Sequence, residues 1–211
     1  MQHSLTHLGI ALSLISGLLL GCGFQNPQVS TTTSSSPTTT PSSNGILAQA
    51  NVVTYDDPVM AIATKYPGNM TVDANCSGEG CGYLFKFKPQ SNALDQAEVH
   101  LFLQRGATTA GEVEKYVTGP NGLLANNGWM MVKDATPPQE LMYPWAKQII
   151  TFSTDQEMRG YILIGEANGQ GFRVTLLYPA EMSNSYWTAV KTILNNLEFK
   201  ADKLPLKPSQ E

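Results

Sequence analysis

Charge is missing from the first quarter of this 211-residue chain: no Lys, Arg, Asp or Glu precedes Asp56. It stays sparse afterwards, with 13 basic and 17 acidic residues giving a net charge of -4. That balance excludes a nucleic-acid binder driven by bulk positive charge, since neutralising phosphates needs an excess of Lys and Arg. Histidine is scarcer still. Two of the three, His3 and His7, lie near the start, which leaves His100 alone in the remainder. Cys, His and carboxylates therefore nowhere show the spacing of a metal site, and neither metal nor cofactor is expected. The chain also lacks a G-x-S-x-G elbow, a phosphate-binding glycine loop and a dinucleotide fingerprint. It reads as a non-enzyme. Long hydrophobic runs are absent too: the apolar stretch at residues 8–20 falls short of the roughly 20 residues that a membrane-spanning helix needs.

That stretch, LGIALSLISGLLL, has instead the length of the apolar segment of a secretory signal. It runs into Leu19-Leu20-Gly21-Cys22, which resembles the bacterial lipobox: an aliphatic residue at the third position before the Cys and a small residue just before it. The resemblance implies that residues 1–21 are a lipoprotein signal peptide and that Cys22 becomes the lipidated first residue of the mature chain. One acyl chain holds a protein only marginally, at about 0.8 kcal/mol per buried CH₂, so stable anchoring implies several palmitate-like chains on Cys22. The protein would then be anchored rather than spanning, on the periplasmic or lumenal face of an outer, plasma or thylakoid membrane. Residues 25–45, QNPQVSTTTSSSPTTTPSSNG, contain almost nothing to bury. Such a segment cannot offset the entropy of ordering, so residues 22–45 are expected to be a disordered tether, stiffened locally at Pro27, Pro37 and Pro41.

Residues 46–200 carry the patterning of a folded domain, with a flexible tail expected at 201–211. Short apolar blocks predict strands at 52–55, 60–66, 70–75, 83–88, 98–104, 129–133, 146–152, 158–166 and 172–178. In one of them Tyr83, Phe85 and Phe87 share a face, and in another Val99, Leu101 and Leu103 stand opposite His100 and Phe102. Asn168-Gly169 is a hairpin turn signal. Thr109 and Glu112 have capping-box spacing ahead of Val113, Tyr116 and Val117, which predicts a helix ended by Gly119-Pro120. A second helix is expected from Ser183, with Tyr186, Val190, Ile193, Leu194 and Leu197 on its apolar face. Strands in series with one inserted and one terminal helix predict an α+β fold, an antiparallel sheet flanked by helices.

The order of these blocks, the Tyr66-Pro67 turn and the closing YPAEMSNSYWTAVKTILNNLEF resemble the PsbP-like family over residues 52–200. The resemblance implies an α/β/α sandwich of the type shared with Ran-binding Mog proteins. It also implies a protein partner within a membrane complex, of the photosystem II kind in a cyanobacterial source.

Cys76 and Cys81 flank Ser-Gly-Glu-Gly at a hairpin tip. In an exported chain whose Cys22 is acylated they form the remaining even pair, and a structural disulfide is expected. Trp129-Met130-Met131 and Leu141-Met142-Tyr143-Pro144-Trp145 bracket a segment containing Pro137-Pro138. These large side chains either close the core at strand ends or form a contact surface on a stiffened loop; partner binding is placed on Trp129, Met142, Tyr143 and Trp145. Asp56-Asp57 and Glu79 read as solvated turn residues or as oxygen ligands for a cation. Together these features predict a lipid-anchored, extracytoplasmic interaction or assembly protein, the alternative being an envelope lipoprotein that carries a lipid, glycolipid or other small apolar ligand.

Overall fold

The structure, a computed structural model, describes residues 51–89, 93–155, 157–179 and 184–207. The leader, Cys22 and the tether lie outside the described residues. The described residues open with β1 (Val52–Asp56) and β2 (Ile62–Pro67), then form the disulfide hairpin of β3 (Met70–Cys76) and β4 (Gly80–Phe87), followed by β5 (Glu98–Gln104). Two helices come next, α1 (Ala110–Thr118) and the single turn α2 (Leu123–Asn126), and a two-residue strand, β6 (Met130–Met131). The long hairpins of β7 (Ala146–Ser153), β8 (Met158–Ala167) and β9 (Gln170–Pro179) precede α3 (Asn184–Asn195) and a last short strand, β10 (Glu198–Phe199).

All pairings among the described strands are antiparallel. They form a seven-stranded sheet in the order β3-β4-β5-β9-β8-β7-β6 and a separate three-stranded sheet, β1-β2-β10. The chain is α+β, with antiparallel sheets flanked by helices. The second sheet departs from the single sheet expected. Its cause lies in β2, which turns Ile62 and Thr64 into the core, where the Thr64 hydroxyl donates to the Ile193 carbonyl of α3 at 2.6 Å. The Ala61 amide likewise donates to Tyr83 Oη on β4 at 3.0 Å. β2 is thus held face-on to the helix and the large sheet instead of extending its edge.

The period-two patterning of the strands decides which side chains enter which half of the core. On one face of the large sheet, Tyr83, Phe85, Val99, Leu101, Leu103, Phe172, Val174 and Leu176 are buried against Tyr186, Ala189, Val190, Ile193 and Leu194 of α3. On the other, Ile150, Phe152, Ile162 and Ile164 meet Val113 and Val117 of α1 and Leu124 of α2. The capping box at the start of α1 is formed: the Glu112 amide donates to Thr109 Oγ1 at 3.3 Å, and the Thr109 amide donates back to Glu112 Oε2 at 3.1 Å. Tyr116, expected on the apolar face of α1, is instead 37% exposed. At the β8–β9 turn Asn168 and Gly169 both have positive φ, 52° and 73°, as the short hairpin requires. Gly171 lets α1 approach: a Cβ there would sit 2.7 Å from the Thr109 carbonyl.

The predicted strand at 129–133 shrinks to two residues, Met130 and Met131, paired with β7; beyond them one more bond follows, the Val132 amide donating to the Thr151 carbonyl at 2.9 Å. At the other end, residues 201–207 turn back onto the domain. Leu204 and Leu206 pack against the larger core cluster, and the Leu206 amide donates to Gln170 Oε1 at 2.8 Å. Among the described residues no helix is long and apolar enough to cross a membrane.

Candidate functional site

The hairpin of β3 and β4 places Cys76 directly opposite Cys81, and the two are joined by a disulfide. The turn between them is closed by Ser77 and Gly80, whose amides each donate to the other's carbonyl at 2.7 and 3.3 Å. Arg105, just past the end of β5, ties the tip down. Its amide donates to the Glu79 carbonyl at 2.8 Å and its Nη2 to the Ser77 carbonyl at 3.0 Å, while Nη1 donates to the Lys207 carbonyl near the chain end. The bridge and Arg105 together hold the Glu79 carboxylate at one end of β5.

The four residues expected to bind a partner are split by the large sheet. Trp129 stacks on Phe152, ring centres 4.4 Å apart, and packs with the α1 side of the core. Tyr143 and Trp145 stack on each other at 5.1 Å and pack on the α3 side, where Trp145 also meets Phe172 at 5.2 Å. Burial raises the Tyr143 phenol above its usual value. Met142 stands apart from this packing at 63% exposed. Met130 and Met131, grouped with Trp129 in the sequence but not placed among the binding residues, are 59 and 47% exposed at the other end of β7, with Val132 beside them at 42%. The half-buried aromatic residues are thus footings of the loop, and the exposed apolar side chains around them are Met130, Met131, Val132 and Met142; a second exposed set, Val52, Val53 and Val59, lies on and after β1.

Asp56 is engaged by Lys200 Nζ at 2.6 Å, and Asp57 Oδ1 accepts from the Val59 amide at 2.9 Å. Among the described residues no three His, Cys, Asp or Glu side chains gather as a metal site would require.

A second cluster went unseen in the sequence. Arg173, in the middle of central strand β9, projects to the α1 side of the sheet and is 4% exposed. Its guanidinium lies 4.4 Å from the centre of the Phe102 ring and 5.3 Å from that of Tyr116. Both contacts are of cation–π type. Burial lowers the Arg173 pKa to about 10 against the pull of Tyr116 and Glu79. His100, two positions along β5 from Phe102 and opposite Thr175, is pushed down to about 4 by burial and then by the positive charges of Arg173 and Lys86. It is neutral at pH 7. The visible signal was a lone Arg inside the apolar run GFRVTLLY of residues 171–178. What the run could not show is that the central position of β9 buries that Arg.

No protein-family model and no curated protein matches the chain. A crystal structure from Bacteroides thetaiotaomicron VPI-5482 is similar at 12% identity and a TM-score of 0.41, over 70% of this chain. The matched region spans 48% of that protein's length. A likeness at this level assigns neither family nor function.

Proposed function

We propose that the chain is a lipid-anchored, extracytoplasmic, non-enzymatic interaction or assembly protein whose docking surface is the β6–β7 edge of the large sheet. The observation that carries this reading is the distribution of apolar surface. The interface between α3 and the sheet is filled by Tyr186, Ala189, Val190, Ile193 and Leu194, all 3% exposed or less, whereas Met130, Met131 and Val132 stand in solvent at the β6–β7 edge and Met142 on the loop that enters β7. A carrier for a lipid, glycolipid or other apolar ligand needs room inside, and a docking protein needs apolar groups outside. Flexible methionines suit a surface that must adapt to a partner.

The lipid anchor at Cys22 rests on the lipobox-like tetrad. A PsbP-like domain and a photosynthetic, photosystem II-like complex as partner rest on the sequence resemblance alone. Two experiments test the reading. In its host the wild-type chain should partition into detergent, and Cys22→Ala should become soluble or stay unprocessed; a wild type without lipid, cut at another residue, refutes the anchor. For the surface, a photo-crosslinking residue at position 142 should give discrete adducts with a membrane-complex subunit, while the same residue at Val59, 77% exposed on the β1–β2 connection, should not. Equal labelling at the two positions refutes the docking site.

A further inference from the structure

A cleft of about 180 Å³ opens at the disulfide hairpin tip, lined by Glu79, Phe102, Gln104, Arg105 and Tyr116. Pockets for drug-sized ligands start near 300 Å³, so an occupant would be smaller. Around this cleft the fold leaves polar atoms unused. Gln104 Oε1 and Arg105 Nε are buried without a hydrogen-bond partner, as are Nε and Nη1 of Arg173 behind the Phe102 and Tyr116 rings. Native proteins seldom leave such groups unpaired, and a buried cation without a partner is among the most costly cases. No ion pair among the described residues involves Arg173. The two rings compensate its charge in part but accept none of its in-plane N–H groups.

We infer that this cleft binds a small organic carboxylate with a neighbouring hydrogen-bond donor, a hydroxy acid or an amino acid. The carboxylate takes a free N–H of Arg173 and the Nε–H of Arg105, one oxygen to each, as charge-assisted hydrogen bonds. The neighbouring donor meets Gln104 Oε1, with Glu79 at the rim. Two arginines against one glutamate leave a single positive charge, which matches a hydroxy acid; an amino acid brings an ammonium of its own, for which Glu79 is the available counter-charge. Tyr116 is the cover: it stands half out of α1, and turning its ring outward opens Arg173 to the cleft. The inference is independent of the docking edge, since none of these residues lies on β6 or β7.

The test is a titration of the purified full-length protein with mandelate, phenylalanine and phenylacetate, the last lacking the second donor, read by thermal midpoint and by chemical shifts of the Arg173 side chain. Mandelate or phenylalanine should saturate, at least tenfold more tightly than phenylacetate; preference between the two assigns the hydroxy or the amino group. Arg173→Met should abolish binding and Arg173→Lys weaken it at least tenfold, because an ammonium cannot hold a donor where the planar guanidinium does. Tyr116→Ala should bind as well as the wild type or better. Arg173→Met keeps the bulk of the side chain and removes an unpaired buried charge, so its fold should persist. Failure of all three probes to saturate, or saturation that Arg173→Met leaves unchanged, overturns the inference.

Discussion

His100 shows how a single side chain takes its chemistry from its position. Flanked in sequence by Val99 and Leu101, it sits on the face that also carries Arg173, and burial beside that cation holds it neutral down to about pH 4, against 6.5 in an unfolded chain. The unfolded state therefore takes up a proton that the folded state refuses. Stability is full above about pH 6.5 and falls as the pH drops towards 4, by up to roughly 3 kcal/mol. Urea unfolding at pH 7.5 and pH 4.5 should show this loss in the wild type, and His100→Gln should flatten it; an unchanged pH dependence would assign the loss to other groups. Arg173 is the complementary case. Its guanidinium is retained in a strand centre where Leu or Val would pack more cheaply, and no ion pair among the described residues explains it.

At the scale of elements, local signals and long-range contacts divide the work. The Thr109–Glu112 box starts α1 by reciprocal hydrogen bonds that involve only neighbours, and Thr109→Ala should cost about 1 kcal/mol in thermal or urea unfolding. The Cys76–Cys81 bridge is also local, closing a loop with a sequence separation of 5. Native peptide should show a two-hydrogen deficit by mass spectrometry, and the double variant Cys76→Ala/Cys81→Ala should lose about 2 kcal/mol on a chain-entropy estimate. Two alkylatable thiols in the native protein would contradict the bridge. Because the tip is also tied by Arg105, the double variant should stay folded. Strand alternation was legible as well: Tyr83, Phe85 and Phe87 bury together because successive strand residues face opposite sides. The pairing of β2 with β10 was not legible, since β10 is two residues long and its Glu198 and Phe199 meet Ala63 and Ile62 from the far side of α3, near the other end of the domain's chain.

For the whole molecule, the contrast is between a filled interior and an edge that remains apolar. Ile193, 2% exposed between α3 and the sheets, should cost about 2–5 kcal/mol when replaced by Ala, whereas Met142→Ala should change stability by less than about 0.5 kcal/mol and still weaken capture of a membrane-complex partner. Tyr143→Ala belongs between them, because its ring is stacked on Trp145 and its loss disturbs the loop's footing. Denaturation curves beside a partner pull-down separate these outcomes. If Met142→Ala unfolds the domain, the residue is core, and the docking edge must be sought elsewhere.

What the sequence determined by itself was whatever depends on neighbours in the chain: an uncharged first quarter, a capping box, a tight Asn-Gly turn, the faces of β4 and β5 and the pairing of two nearby cysteines. Each follows from interactions a few residues long, and these are written directly in residue order. The tertiary structure decided the rest. It put Trp129 on one side of the large sheet and Tyr143 and Trp145 on the other, left the methionines of β6 and Met142 in solvent, brought Glu79, Arg105 and Tyr116 to one cleft from separate segments, and packed Arg173 behind the Phe102 and Tyr116 rings that line it. The physical reason is sheet order. β9 pairs with β5 across some seventy residues of chain, and it is that long-range pairing, with α1 laid over it, that buries a cation in a position where the sequence shows only an Arg among apolar neighbours.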